Sequence, residues 1–301
     1  IYQNIRFIER YDPEFVVVLG GDHIYKMDYS KMINFHTQND ADCTISVINV
    51  PLAEASRFGI MVCDEEHRVK EFVEKPANPT STLASMGIYV FNWQKLKKYL
   101  IQNEEEANIK RDKGEKWSKD FGKDIITSML KDGQRLFAYE FEGYWMDVGT
   151  LDSLWEANMD LIRPDAKFDL TSKEMKIYSR NNNMPPQYIG SDAMVQDSMI
   201  SEGSVIDGNV DFSVIFQGVT VEKGANIKYS IIMPGAVIKS GASVEYSIVG
   251  SDTVIESGAK IGKSPENVNP GEEWGIAVVG HNITISENTV INPKDIVDES
   301  K

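Results

Sequence analysis

Soft metal ligands are scarce in this chain. Its 301 residues include two cysteines and four histidines. Cys43 and Cys63 form no Cys-x-x-Cys pair and flank no histidine cluster, so they read as buried or partly buried thiols rather than as ligands or a nucleophile. His23, His36, His67 and His281 have no metal-binding spacing. No apolar run reaches the length of a membrane span and no signal peptide opens the chain, so a reducing cytoplasm is the expected location. Cations are also short, with 31 Lys and Arg against 46 Asp and Glu, a net charge of −15. That balance disfavours nonspecific binding to nucleic acid or to an anionic membrane. It leaves room for an anionic substrate, which a few local cations can hold.

What is present is the composition of a folded protein, 42% apolar and 26% charged, in a length that fits one large domain or two ordinary ones. Residues 1–165 alternate between helical and strand patterns. Ile1, Ile5 and Ile8 keep helical spacing until Asp12-Pro13. Phe15–Leu19 is a short, wholly apolar run, the expected pattern of a parallel strand buried on both faces. Met32, Phe35 and His36 mark a helix that Asp28 or Ser30 can cap, and Cys43–Val50 is a β-branched strand. Strand, helix, strand predicts a βαβ unit in an open α/β sheet.

From Ser198 the pattern changes. The triplets beginning at Ser213, Ser230 and Ser247 recur every 17 residues, and so do those at Val219, Ala236 and Thr253 and at Ala225, Ala242 and Ala259. Three phases with one period predict a β-helix over 198–301, three short strands to a turn, with stacked coils making the core. Residues 166–197 read as a linker, because "RNNNMPPQYIG" (180–190) is polar and carries a proline pair. After Ile261 the repeat breaks in "GKSPENVNPGEEWG", and a final strand or two is expected as a cap.

Two aspartates stand where strands end. Asp22 follows the apolar run and Gly20-Gly21, and Asp147 closes "YEFEGYWMDVGT". Ligands of open α/β sheets bind at such ends, and a carboxylate there can hold a hard cation such as Mg²⁺ over phosphates, or simply cap a turn. Thr150 can cap the helix that follows, so capping does not account for Asp147. In "FVEKPANP", Glu74 precedes Lys75, a point charge suited to a phosphate but equally to an exposed ion pair. Ser85 and Gly87 come just before an "IYVF" strand, where a hydroxyl can bond a sugar or cap a turn. Tyr144 and Trp145 read as packing at the sheet edge.

These stretches resemble the bacterial glucose-1-phosphate adenylyltransferase family over essentially the whole chain. The resemblance lies in "GGDHIYKMDY" (20–29), "EASRFGIM" (54–61), "FVEKPANP" (72–79), "LASMGIYVF" (83–91), "DFGKDII" (120–126), "YWMDVGT" (144–150) and the repeats. It implies a partial Rossmann-like nucleotidyltransferase domain followed by a left-handed parallel β-helix. It implies the reaction of ATP with α-D-glucose 1-phosphate to give ADP-glucose and pyrophosphate, the first committed step of glycogen synthesis, in a homotetramer. By the same resemblance Asp22 and Asp147 hold catalytic Mg²⁺, Lys75 grips the sugar phosphate, and Glu74, Ser85 and Gly87 line the sugar pocket.

One family feature is missing. No Gly-Gly-x-Gly-x-Arg-Leu loop occurs in the sequence, and the helix at Ile1 starts without a preceding strand. The expectation is a chain lacking roughly a hundred residues of the nucleotide-binding domain, as judged against a fold that starts with βαβ units. Two neighbouring readings are a non-catalytic regulatory paralogue and a sugar-1-phosphate nucleotidyltransferase that uses another nucleotide. The first is disfavoured because Asp22, Lys75 and Asp147 are all present. A β-helix acyltransferase is disfavoured because His281, the one histidine of that region, lies beyond the regular repeats.

Overall fold

The computed structural model describes all residues except 116–119, 167, 171, 174, 180–181, 268–272 and 301. The chain forms two compact units, residues 1–21 with 26–145, and residues 22–25 with 146–301.

The first unit is a six-stranded sheet with helices. Its strands are β1 (Phe15–Val18), β3 (Cys43–Asn49), β4 (Gly59–Cys63), β5 (Val69–Glu74), β6 (Leu83–Asn92) and β7 (Leu136–Glu140), while β2 (His23–Tyr25) belongs to the second unit. The order is β5-β4-β6-β3-β7, with β1 also paired to β6. Helices α1 (Ile5–Glu9), α2 (Tyr29–Gln38), α3 (Trp93–Asp112) and α4 (Thr127–Lys131) accompany it. Asp28 caps α2 by accepting the Ser30 amide at 3.0 Å. The core is drawn from both sheet and helices: Ile45, Met61, Phe91, Leu96, Ile126 and Leu136 are all fully buried. Removing one such side chain, as in Leu96→Ala, costs about 2–5 kcal/mol.

The sheet is mixed, which corrects the expectation for Phe15–Leu19. Strand β1 pairs antiparallel with β6, Phe15 opposite Asn92 and Val18 opposite Tyr89, and its residues are half-buried. Among the described residues of this sheet only β3 and β7 pair in parallel. An apolar run reports burial, not the direction of the neighbouring strand. The βαβ reading is modified in the same way: β1 and β3 run in one direction but flank the antiparallel β6.

Strand β6 also starts earlier than its sequence suggests, so Ser85 and Gly87 lie within it. Ile45 faces Tyr89 while Val47 faces Ser85, so four steps along β6 oppose two along β3. This bulge needs left-handed backbone, and Gly87 supplies it at φ +67°. The Gly87 carbonyl turns to accept the Gly20 amide at 3.1 Å.

Strand β2 pairs with β8 (Trp145–Asp147), and α5 (Leu151–Asp160) follows in the second unit. Thr150 caps α5 by accepting the Ser153 amide at 3.2 Å. From Tyr188 onward the described residues form a parallel β-helix of three six-stranded sheets. Registers such as Val214–Ile231–Ile248 and Val210–Ile227–Val244–Ile261 keep the 17-residue step. The coil starts within the span read as linker, because Tyr188–Ile189 pairs with Val205–Ile206. Residues 180 and 181 of the "RNNNMPPQYIG" block lie outside the described residues, as do 268–272 of the break after Ile261. Beyond that break the coil resumes in register, Val278 facing Ile248, and four strands follow where one or two were expected.

The corners explain why serine repeats. Phe212, Tyr229 and Tyr246 each take left-handed backbone with φ of 42°, 47° and 47°. The serine after each is fully buried and donates its Oγ to the carbonyl two residues back at 2.6–2.7 Å. The same oxygen accepts the amide of the serine one coil on: Ser230 N to Ser213 Oγ at 3.0 Å, Ser247 N to Ser230 Oγ at 3.2 Å. Outside this ladder the rings of Phe212, Tyr229 and Tyr246 stack at 4.9 and 4.7 Å. Helix α5, which the sequence groups with the first domain, packs on the coil: Met159 is buried with Val214, Ile231 and Ile248.

Candidate active site

Asp22 stands just before β2 and Asp147 ends β8. The pairing of these short strands, closed by Val148 N to Asp22 O at 2.9 Å, brings together two residues far apart in sequence. Asp22, His23 and Asp147 each offer a ligand atom, all within 4.8 Å of one another. His23 Nε2 lies 3.4 Å from Asp22 Oδ1. The Gly149 amide donates to Asp147 Oδ1 at 2.9 Å, which leaves Oδ2 available.

The donor set suits a divalent cation. Two carboxylates this close repel one another unless a positive charge lies between them, and hard oxygen donors match Mg²⁺. The space around them is kept by a glycine. A Cβ at position 149 would stand 3.0 Å from Asp147 Oδ1 and 3.6 Å from Asp22 Oδ2. Residues Asp22 and Asp147 therefore fit the metal, with His23 beside them.

The other sequence candidates lie in the first unit. Glu74 ends β5 and is half-buried, in a recess that two glycines make possible. A Cβ at Gly59 would stand 2.8 Å from Glu74 Oε2 and 2.5 Å from the Phe72 ring, and one at Gly122 would meet the same two groups at 3.2 and 2.8 Å. Burial pushes the Glu74 carboxyl above its ordinary pKa, and the charge of Asp120 adds to this, while Lys75 and Lys123 oppose it. Lys75 is exposed and takes left-handed backbone, φ +48°, with its amide donated to Phe58 O at 3.0 Å. A non-glycine residue in that conformation is uncommon, and it ends the strand sharply before Pro76. Ser85 Oγ accepts the Gly87 amide at 3.3 Å and lies 3.4 Å from the Tyr89 hydroxyl. Tyr89 has its pKa pushed up to about 12, first by burial.

Asp120, Lys123 and Tyr89 are members of this cluster that the sequence did not single out as site residues. Asp120 caps a wide π-type turn, Phe121–Ile126, accepting the Lys123 amide at 2.8 Å. Phe121 packs 5.3 Å from the Tyr89 ring and 5.4 Å from Phe91. The "DFGKD" motif thus brings an acid and a cation to Glu74 on one short turn. Its spacing alone does not reveal that Gly122 gives way to Phe72 and Glu74. The thiols are held protonated: Cys43 is buried and Cys63 half-buried, both free, and burial raises both pKa values.

Residues 1–163 match the family described as nucleotidyl transferase. The chain belongs to that family. Residues 185–279 match the GlmU-like, C-terminal hexapeptide family, in keeping with a left-handed parallel β-helix. The chain is similar to a glucose-1-phosphate adenylyltransferase of Clostridium beijerinckii, 55% identical over 225 residues, 75% of this chain and 56% of the relative. It is similar to one of Bacillus cereus strain Q1, 54% identical over 228 residues, 75% of this chain and 58% of that one. One of Clostridium perfringens strain SM101 is 56% identical over 225 residues, again 75% and 56%. The match thus spans well under two thirds of each of these relatives. Among the described residues no helix is long and apolar enough to cross a membrane.

Proposed function

We propose that this nucleotidyl transferase chain contributes the metal and sugar-phosphate sites of a glucose-1-phosphate adenylyltransferase. The observation that carries the reading is the meeting of Asp22 and Asp147 within 4.8 Å, around the space that Gly149 leaves open. The substrates are ATP and α-D-glucose 1-phosphate. A phosphate oxygen of the sugar phosphate attacks the α-phosphorus of ATP, the bond to the bridging oxygen breaks, and pyrophosphate leaves with that electron pair. The attacking phosphate is largely ionised near neutral pH, so alignment and charge neutralisation dominate over proton abstraction.

Mg²⁺, when bound by Asp22 and Asp147, supplies positive charge to phosphates that two bare carboxylates would repel. The chain's own residues do the rest. Lys75 binds the sugar phosphate as a point charge. Glu74, Ser85 and the Gly87 backbone take sugar hydroxyls, and Asp120 and Tyr89 extend that polar lining. The reading includes a cytoplasmic homotetramer in glycogen synthesis, without nucleic-acid or membrane partners; the net charge of −15 favours the last two points.

The test is magnesium-dependent pyrophosphate release from ATP and glucose 1-phosphate. It is run on this chain, and on this chain joined to a segment carrying the family's glycine-rich loop. Asp22→Asn and Asp147→Asn are expected to abolish release, and Lys75→Gln to raise KM for the sugar phosphate. Release that survives both asparagine variants, or a wild type silent in both forms, overturns the reading. UTP and GTP in place of ATP test the nucleotide.

A further inference from the structure

The carboxylate pair belongs to the same compact unit as the β-helix, not to the sheet that precedes it. The physical connection runs through α5. From Asp147 the chain passes Gly149, whose amide holds Asp147 Oδ1, to Thr150, which caps α5 through the Ser153 amide and approaches the Ser153 hydroxyl at 2.6 Å. Just over a turn into α5 the Trp155 side chain meets the coil. Its indole Nε1 donates to the Tyr229 carbonyl at 2.7 Å, and its ring packs 5.9 Å from that of Tyr246. The left-handed corner at Tyr229 lets a carbonyl accept from outside the coil, and the near-parallel Tyr229–Tyr246 stack, 7° between planes, gives the indole a rigid bed. Met159 then seats the far end of the helix on Val214, Ile231 and Ile248.

From this geometry we infer that Trp155 is a positioning residue for the carboxylate pair. It fixes α5 on the aromatic stack of the β-helix, and so fixes the cap and the loop that aim Asp147 at Asp22. The β-helix is then part of the scaffold of the site as well as a separate coil. A helix of ten residues is marginal in isolation, so its capped end is only as well placed as its packing makes it. The inference rests on the reading of Asp22 and Asp147 as a metal site, and it makes a claim about local order that can be read without any metal.

Two measurements on the whole chain test it. The first is Mn²⁺ binding followed by the electron paramagnetic resonance signal of the free ion. The second is hydrogen exchange at the Gly149 and Ser153 amides without metal. Trp155→Ala is expected to weaken Mn²⁺ binding about tenfold and to speed exchange at both amides, with a smaller effect for Trp155→Phe, which keeps ring packing but loses the indole hydrogen bond. Leu96→Ala, a destabilising change in the other unit, is expected to leave both readouts at wild-type values. Equal Mn²⁺ affinity and equal exchange in wild type and Trp155→Ala overturn the inference. If Trp155→Ala does not fold, wild-type values of both readouts in Trp155→Phe overturn it. If wild type itself binds no Mn²⁺, the metal reading fails, while faster exchange in the variants still upholds the positioning role.

Discussion

Gly149 gives its amide to Asp147 Oδ1 at 2.9 Å and, having no side chain, places no Cβ against that oxygen or Asp22 Oδ2. A methyl group there would lie 3.0 Å from the first oxygen, closer than a carbon comfortably approaches. Either the Asp147 carboxylate rotates or the loop moves. Gly149→Ala is therefore expected to weaken Mn²⁺ binding about tenfold, by the same order as losing one charge-assisted hydrogen bond. Position 149 is exposed, so the melting temperature should stay near that of wild type. Unchanged Mn²⁺ affinity would show that the glycine is not needed by the carboxylates.

Glu74 should make stability depend on pH in a definite direction. Burial raises its folded pKa, Asp120 adds to that, and Lys75 and Lys123 offset part. A carboxyl with a raised folded pKa binds its proton more readily in the native chain than in the unfolded one. Its charged form therefore costs stability once pH rises past the ordinary carboxylate range, and the cost is absent below it. Glu74→Gln, which stays neutral, should melt higher than wild type near pH 7, and the gap should close in acid. Parallel melting curves across pH would contradict this. The same variant should bind glucose 1-phosphate less well, since a carboxylate accepts from hydroxyls more strongly than an amide does.

Much of this was legible beforehand, for identifiable reasons. The 17-residue period follows from stacking, because each coil must repeat its inward residues, and Val210, Ile227, Val244 and Ile261 do so. The strand-end position of Asp147 could be read because Thr150 already accounts for the helix cap. Polarity in the sheet could not be read, because Phe15–Val18 looks the same beside a parallel or an antiparallel neighbour. Nor could the part played by Gly59 and Gly122, which lies in clearances from Phe72 and Glu74 on other segments. Nothing in the sequence singles out Trp155 within its helix. Its role depends on a carbonyl 74 residues further along the chain.

His36 predicts acid sensitivity. It is fully buried, its Nδ1 lies 2.8 Å from Thr44 Oγ1, and its ring meets Phe15 edge-on at 4.9 Å. Burial lowers its pKa to about 4, although the nearby Asp42 and Asp40 favour the proton. The unfolded chain takes up that proton near the ordinary histidine value of about 6.5. Stability should therefore fall as pH drops from about 6.5 to about 4, by at most about 1.4 kcal/mol per pH unit from this group, and level off below. His36→Gln should flatten that slope when melting is followed by circular dichroism. A slope unchanged in the variant would assign the acid sensitivity to other groups.

The serine ladder offers a sharper test of how the coils are held together. Ser230 Oγ donates to Lys228 O at 2.7 Å and accepts the Ser247 amide at 3.2 Å, and both serines are fully buried. Ser230→Ala removes one oxygen and leaves the Ser247 amide without that acceptor. A buried donor left unmade costs about 1–3 kcal/mol, more than a surface hydroxyl could. The loss should show as a lower melting temperature for the coil, with faster exchange at the Ser247 amide and little change at Ser213, whose acceptor is Ser198 Oγ one coil earlier. A cavity effect would look different, because removing a hydroxyl of this size takes away little apolar area and would not single out one amide. If Ser230→Ala melts like wild type and the Ser247 amide exchanges no faster, the backbone ladders and the aliphatic core hold these coils without help from the Ser230 hydroxyl.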